Sequence, residues 1–174
     1  LSFFLANPTD WSYGSEISRK TGISVARTSM ILKDLSKIEL LEKETRGKTE
    51  LYRILMDNPA LKTYKVLNTL LSIAPLVSEL KKISGRIILY GSCAKGENIE
   101  DSDLDILVVS TKREEALDII GAFSKSAYYG FSEIRAVIKR PPEWAVLENS
   151  DPVFFNELQK GISLYEKEID ESKL

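Results

Sequence analysis

Residues 91–105 read Gly91-Ser92-Cys93-Ala94-Lys95-Gly96-Glu97-Asn98-Ile99-Glu100-Asp101-Ser102-Asp103-Leu104-Asp105, and this stretch decides the fold. The apolar run Arg86–Tyr90 before it reads as a buried strand, left through a tight Gly91-Ser92 turn. Ten residues separate Ser92 from Asp103, which with Asp105 opens a second apolar run, Ile106–Val109. Side chains at i and i+2 of a strand share a face, so Asp103 and Asp105 project together while Leu104 and Ile106 face the other way. Two carboxylates at ~5 Å repel by about 3 kcal/mol at an effective dielectric near 20. Such a pair must be solvated, share a proton or bind a cation. Mg²⁺, or Mn²⁺ in its place, suits one or two carboxylates together with substrate phosphates. Gly91 and Ser92 supply the other half of a phosphate site, because a glycine turn into a helix lets backbone N–H groups approach an anion.

The combination resembles the nucleotidyltransferase superfamily typified by DNA polymerase beta, in its minimal prokaryotic form. Gly91, Ser92, Ala94, Lys95, Gly96, Ser102, Asp103 and Asp105 stand in the register of that signature, between two apolar strands. The resemblance implies an NTP substrate, with Gly91, Ser92 and Lys95 on its phosphates and Asp103 and Asp105 as metal ligands. It also implies a third acid on a later strand, facing the pair. In Phe131–Ile138 (FSEIRAVI), Ile134, Ala136 and Ile138 share one face and leave Glu133 on the other, as the candidate third catalytic acid. Arg135 shares that face, so a surface Glu133–Arg135 ion pair is the alternative.

Composition excludes several classes of function. The 174 residues contain no histidine, so histidine bases, Ser-His triads and His-containing zinc sites are ruled out. Cys93 is the only cysteine, which removes an internal disulfide framework and fits a reducing, cytoplasmic setting. In the turn it reads as a space-filler rather than a nucleophile. No apolar run approaches the ~20 residues of a membrane span, and LSFFLA lacks the basic leader of a signal peptide.

Charge separates the two ends of the chain. Residues 1–56 carry nine Lys/Arg against seven Asp/Glu, whereas residues 57–174 carry fifteen against nineteen. The mildly basic front segment has an order of its own. Tyr13–Lys20 predicts a short helix capped by Ser15, and Thr21-Gly22-Ile23-Ser24 a turn with Ser24 as the next cap. Val25–Ile38 predicts a second helix with Thr28, Ile31, Leu32, Leu35 and Ile38 inward. Leu40–Thr45 and Thr49–Ile54 then flank Arg46-Gly47-Lys48 as a hairpin. Glu39 stands where a glycine is commoner, so an irregular helix end is expected.

Helix, turn, helix and hairpin in this order resemble a winged helix-turn-helix domain. The resemblance implies that Arg27, Ser29 and Lys33 face the DNA major groove or backbone, and that Arg46 and Lys48 touch phosphates. Solvated charges on a small module are the plainer alternative. Asn58-Pro59 signals a helix start, and Leu61, Tyr64, Leu67, Leu70, Leu71, Ala74, Val77 and Leu80 form a stripe interrupted by a break or kink at Pro75. This segment reads equally as a connecting helix or as a homodimer interface. Further on, a helix over Lys112–Lys125, a strand over Tyr128–Lys139, a short helix after Pro141-Pro142 and a helix from Pro152 complete an α/β (α+β) pattern with a sheet covered by helices.

The expected organisation is therefore a winged helix-turn-helix over 1–56, a linker helix over 57–84 and a nucleotidyltransferase-like mixed sheet over 85–174. Two functions follow. One is Mg²⁺-dependent transfer of a nucleoside monophosphate to an unknown acceptor, tethered to nucleic acid by the front domain. The other is a DNA-binding transcriptional regulator whose rear domain senses a nucleotide, or dimerises, without catalysis.

Overall fold

A computed structural model describes residues 1–99, 102–126 and 131–167. The chain divides into two compact units, Leu1–Tyr64 and Lys65–Leu174.

The first unit begins with α1 (Ser2–Leu5) and the two-residue strand β1 (Ser12–Tyr13), followed by α2 (Gly14–Thr21), α3 (Val25–Lys37), β2 (Leu41–Arg46) and β3 (Thr49–Ile54). The strands form an antiparallel sheet in the order β1-β3-β2, with Arg46 opposite Thr49 at the hairpin end. That pairing leaves only Gly47 and Lys48 as the loop, and Gly47 takes φ +64°, the conformation that the first position of a type II′ hairpin turn requires. Phe4, Ile17, Leu32, Leu40, Leu41, Tyr52, Ile54 and Leu61 form its core.

Several local expectations are corrected. Ser15 lies inside α2, whose N-cap is Tyr13. Ser24 is the N-cap residue of α3, as expected, but its side chain makes no capping bond; its carbonyl accepts the Thr28 N–H at 2.9 Å, while the Ser18 hydroxyl holds the turn through the Ile23 carbonyl at 2.6 Å. Ile38 was expected inward and is exposed, because α3 ends one residue before it. Glu39 adopts φ +58°, the only positive φ at a non-glycine among the described residues. The Asn58 amide donates to its carbonyl at 2.8 Å and helps hold that irregular end. The same Asn58 caps α4 (Pro59–Leu80), accepting the Ala60 N–H at 2.8 Å. Pro75 interrupts nothing; α4 continues through it.

In the second unit, β4 (Arg86–Tyr90), α5 (Gly91–Lys95), β5 (Leu104–Val109), α6 (Arg113–Ser126), β6 (Ile134–Lys139), α7 (Pro141–Ala145), α8 (Leu147–Ser150), α9 (Pro152–Gln159) and β7 (Ile162–Glu166) follow one another. The sheet order is β6-β5-β4-β7, with β5 and β6 parallel and the other pairs antiparallel. The fold class is thus mixed α/β, as expected. The predicted strand over Tyr128–Lys139 is shorter: β6 starts at Ile134, and residues 127–130 lie outside the described residues. The apolar segment closing the chain is the edge strand β7.

Each sheet face has its own apolar cluster. Leu104, Ile106 and Val108 of β5 point, fully buried, into a core with Ile73, Leu76, Leu80, Ile87, Leu89 and Phe123. The opposite face gathers Ile88, Tyr90, Leu107, Val109, Leu147 and Leu158. Strict alternation along β5 therefore settles which face Asp105 occupies. It is the second one, beside Tyr90.

Candidate nucleotide site

The turn that leaves β4 is built around Asp105. Tyr90 is extended at φ −135°, Gly91 flips to φ +70°, and Gly96 ends α5 at φ +68°. The antiparallel register sets Tyr90 opposite Asp105, so the carboxyl group lies against the Gly91 Cα. A Cβ at residue 91 would stand 2.3 Å from Asp105 Oδ2. The left-handed backbone and the missing side chain are both required there. The sequence expectation that the acidic strand stands beside the glycine-serine turn is met in the structure.

The Asp105 carboxyl group makes no ion pair or hydrogen bond among the described residues, although its backbone is paired on both sides in the sheet. Its pKa is raised, first by burial and then, against the pull of Arg135, by the charges of Asp103 and Glu157. Tyr90 is pushed up to about 12 by burial, with Asp105 and Glu157 adding to it. Cys93 is fully buried, and its thiol is pushed up to about 11, chiefly by burial. A thiol held that far from ionisation is a packing group.

Asp103 is placed differently. Its Oδ2 accepts from the Arg135 guanidinium at 2.7 Å, and its Oδ1 accepts the Ser132 hydroxyl at 2.7 Å. Parallel pairing puts Arg135 in register with Asp105, and two residues earlier the same register brings Glu133 level with Asp103. The Glu133 carbonyl accepts the Leu104 N–H at 2.8 Å, but its side chain is exposed and has no partner among the described residues. The alternative Glu133–Arg135 pair does not form either, since Arg135 reaches across to the neighbouring strand. Lys95 is half-exposed and lies 3.7 Å from Glu157. Arg135 is the residue that sequence reasoning missed as a member of this site. Its pattern placed it on the right face, but only the strand register shows which acid it meets.

In the first unit, Arg27 and Lys33 are exposed on α3 and Lys48 on the hairpin tip, and none of the three makes an ion pair among the described residues. Ser29 and Lys48 line one groove together with Thr45 and Thr49. Arg46 is partly spoken for, donating to both carboxylate oxygens of Glu44 at 2.9 and 3.1 Å.

The profile of the nucleotidyltransferase domain matches residues 71–172, more than half of the chain. The protein belongs to the nucleotidyltransferase domain family. One solved structure similar to it is a provisionally assigned nucleotidyltransferase from Sulfolobus solfataricus, with 14% identity, a TM-score of 0.42, and coverage of 64% of this chain and 93% of that one. No curated protein matches the chain. Family membership supports nucleotidyl transfer as the general activity of such a domain, and with it an NTP as the small-molecule ligand. No helix among the described residues is long and apolar enough to cross a membrane.

Domains of this family commonly use divalent metals. The side chains of this nucleotidyltransferase domain do not fit one as they stand. Mg²⁺ needs only one or two protein carboxylates, so the misfit lies in what holds Asp103 and not in the number of acids. Both oxygens of Asp103 are engaged by protein donors, one of them a cation.

Proposed function

We propose that this protein is a nucleic-acid-bound regulator whose nucleotidyltransferase domain recognises a nucleotide without metal-dependent turnover. The observation that carries this reading is the Arg135–Asp103 ion pair, formed where the catalytic reading needs a free carboxylate. On this reading Gly91 and Ser92 present the backbone to phosphates, Lys95 adds charge near them, and Asp105 accepts hydrogen bonds from the ligand. Residues 85–174 form this domain, 1–56 a winged helix-turn-helix, and 57–84 the linker. Leu67 and Leu71 of α4 are exposed, which supports pairing of two copies through the linker helix.

The transfer reading keeps one specific support, the family match together with the close approach of Asp105 to Gly91. In it a nucleoside monophosphate passes from an NTP to an acceptor hydroxyl, and pyrophosphate leaves. Incubation with labelled NTPs, Mg²⁺ or Mn²⁺ and host extract separates the two. The expected result is nucleotide binding by calorimetry in the presence of a chelator, with no label moved. Label transfer by the wild type that disappears in Asp105→Asn would reverse the choice.

Nucleic-acid binding by the first unit rests on the helix–turn–helix–hairpin order and on three exposed cations without an ion pair among the described residues, Arg27 and Lys33 on α3 and Lys48 at the hairpin groove. In this placement α3 enters the major groove, Arg27, Ser29 and Lys33 face bases or backbone, and Arg46 and Lys48 flank the duplex at the hairpin. The double variant Arg27→Ala/Lys33→Ala is expected to weaken duplex binding by about tenfold or more and to flatten the salt dependence by roughly two phosphate contacts. Fluorescence anisotropy on short duplexes across a salt series measures both. Unchanged affinity in a folded double variant would remove α3 from the interface.

A further inference from the structure

We propose that Arg135 is the resident cation of the acid pair: a guanidinium tethered to β6 stands where a divalent ion would have to bind, so the nucleotidyltransferase domain holds its carboxylates without metal. The inference deepens the sensing function proposed above and rests on it for the identity of the site.

Three observations carry it. The first is register. β5 and β6 run parallel, and Asp105 pairs with Arg135, so the side chain facing the acid pair from the neighbouring strand is basic. The second is contact. Arg135 ignores Glu133, two residues away on its own chain and exposed, and crosses instead to Asp103 at 2.7 Å, while Ser132 takes the other oxygen of that carboxylate. The third is reach. Arg135 is level with Asp105 in the strand register and ion-paired with Asp103, so one guanidinium lies beside both acids. One positive charge set against two negative charges leaves the cluster at −1. A site for two divalent ions needs more negative charge, which a third acid would supply.

The Arg135 side chain is itself 62% exposed, so the weight of the pair lies at its carboxylate end, where burial limits screening by water. Asp103 is mostly buried, with 20% of its side chain exposed, and would be a poorly compensated charge without the guanidinium. The pair therefore gives Asp103 its counter-ion inside the protein and removes its need for one from solution.

The test is direct binding of Mn²⁺ alone, followed by calorimetry and by the loss of the free-ion paramagnetic signal. Wild type is expected to bind no Mn²⁺ below millimolar concentrations. Arg135→Asp places a third acid in register with Asp105 and is expected to gain affinity by about tenfold or more. Arg135→Gln removes the charge with little change of size and is expected to gain less. Arg135→Lys keeps the charge and is expected to behave as wild type. Wild-type binding as tight as that of Arg135→Asp overturns the proposal, as does a folded Arg135→Gln and Arg135→Asp pair with no gain. If neither variant folds, the wild-type titration decides, and binding below millimolar ends the idea. Nucleotide binding in chelator is read separately. Its absence, with the metal gain intact, would sink the sensing function and leave Arg135 as the resident cation.

Discussion

Gly161→Ala is expected to destabilise the second unit by about 3 kcal/mol, near the top of the usual range for forcing atoms into a packed site. The glycine sits between α9 and β7, where its N–H donates to the Leu158 carbonyl at 2.9 Å. An added Cβ would stand 2.5 Å from the Leu89 carbonyl oxygen, 3.0 Å from Ile88 Cγ2 and 3.0 Å from the Leu158 carbonyl oxygen. Two of those three atoms are backbone and cannot turn aside. Leu89 belongs to β4, a central strand, so relief must come from β7 lifting away from it. That edge pairing already carries a register shift between Ile87 and Ile88. Gly121→Ala in α6 is the control, because nothing lies within 4 Å of its new Cβ, and it is expected to gain about 0.5–1 kcal/mol from helix propensity. Urea denaturation of the two variants gives the comparison. A loss under about 1 kcal/mol for Gly161→Ala would mean that β7 is not seated as described.

Local signals with a period or a cap were legible from the chain alone. Leu104 and Ile106 alternate with Asp103 and Asp105, and that alternation placed the acids on one face before any coordinates. Asn58-Pro59 and Arg46-Gly47-Lys48 carry their turn and cap chemistry in the residue types themselves. Glu39, in a place where glycine is usual, signalled its positive φ by being the wrong residue. What stayed hidden depends on contacts between segments distant in the chain. Nothing within FSEIRAVI shows that its strand runs parallel to the acidic one, or that Arg135 rather than Glu133 comes level with Asp105. The segment ISLYE reads from the chain only as an apolar stretch after the helix from Pro152, and pairing with β4 makes it a strand. Ser15 misled for a related reason: a cap residue is defined by backbone angles, and the strand β1 had already set those angles at Tyr13.

Gly91→Ala is expected to cost about 2 kcal/mol in stability and to abolish nucleotide binding, because one added methyl group offends twice. The first offence is the backbone: φ +70° is left-handed and disfavours any side chain. The second is Asp105, whose Oδ2, Cγ and Cβ lie 2.3, 3.1 and 3.3 Å from the new Cβ. Asp105 cannot retreat as a residue, since β5 pairs it with Tyr90, so only its carboxyl group can rotate, and rotation takes it out of the site. The two offences separate in a double-mutant cycle. In an Asp105→Ala background the carboxyl group is gone, and Gly91→Ala should cost only the backbone part, about 1 kcal/mol. Gly22→Ala supplies the same reference independently, with φ +71° and nothing within 4 Å of its Cβ. Burial of Asp105 adds a sign that packing alone would not. Asp105→Ala by itself should make the fold more stable near neutral pH, because the raised pKa of Asp105 means that its charged form burdens the folded state there. That gain should shrink as acid protonates the carboxyl group in the wild type, while nucleotide binding is lost at every pH. An equal cost of Gly91→Ala with and without Asp105 would show that the turn and the acid do not touch, and the site would lose the contact on which it is built.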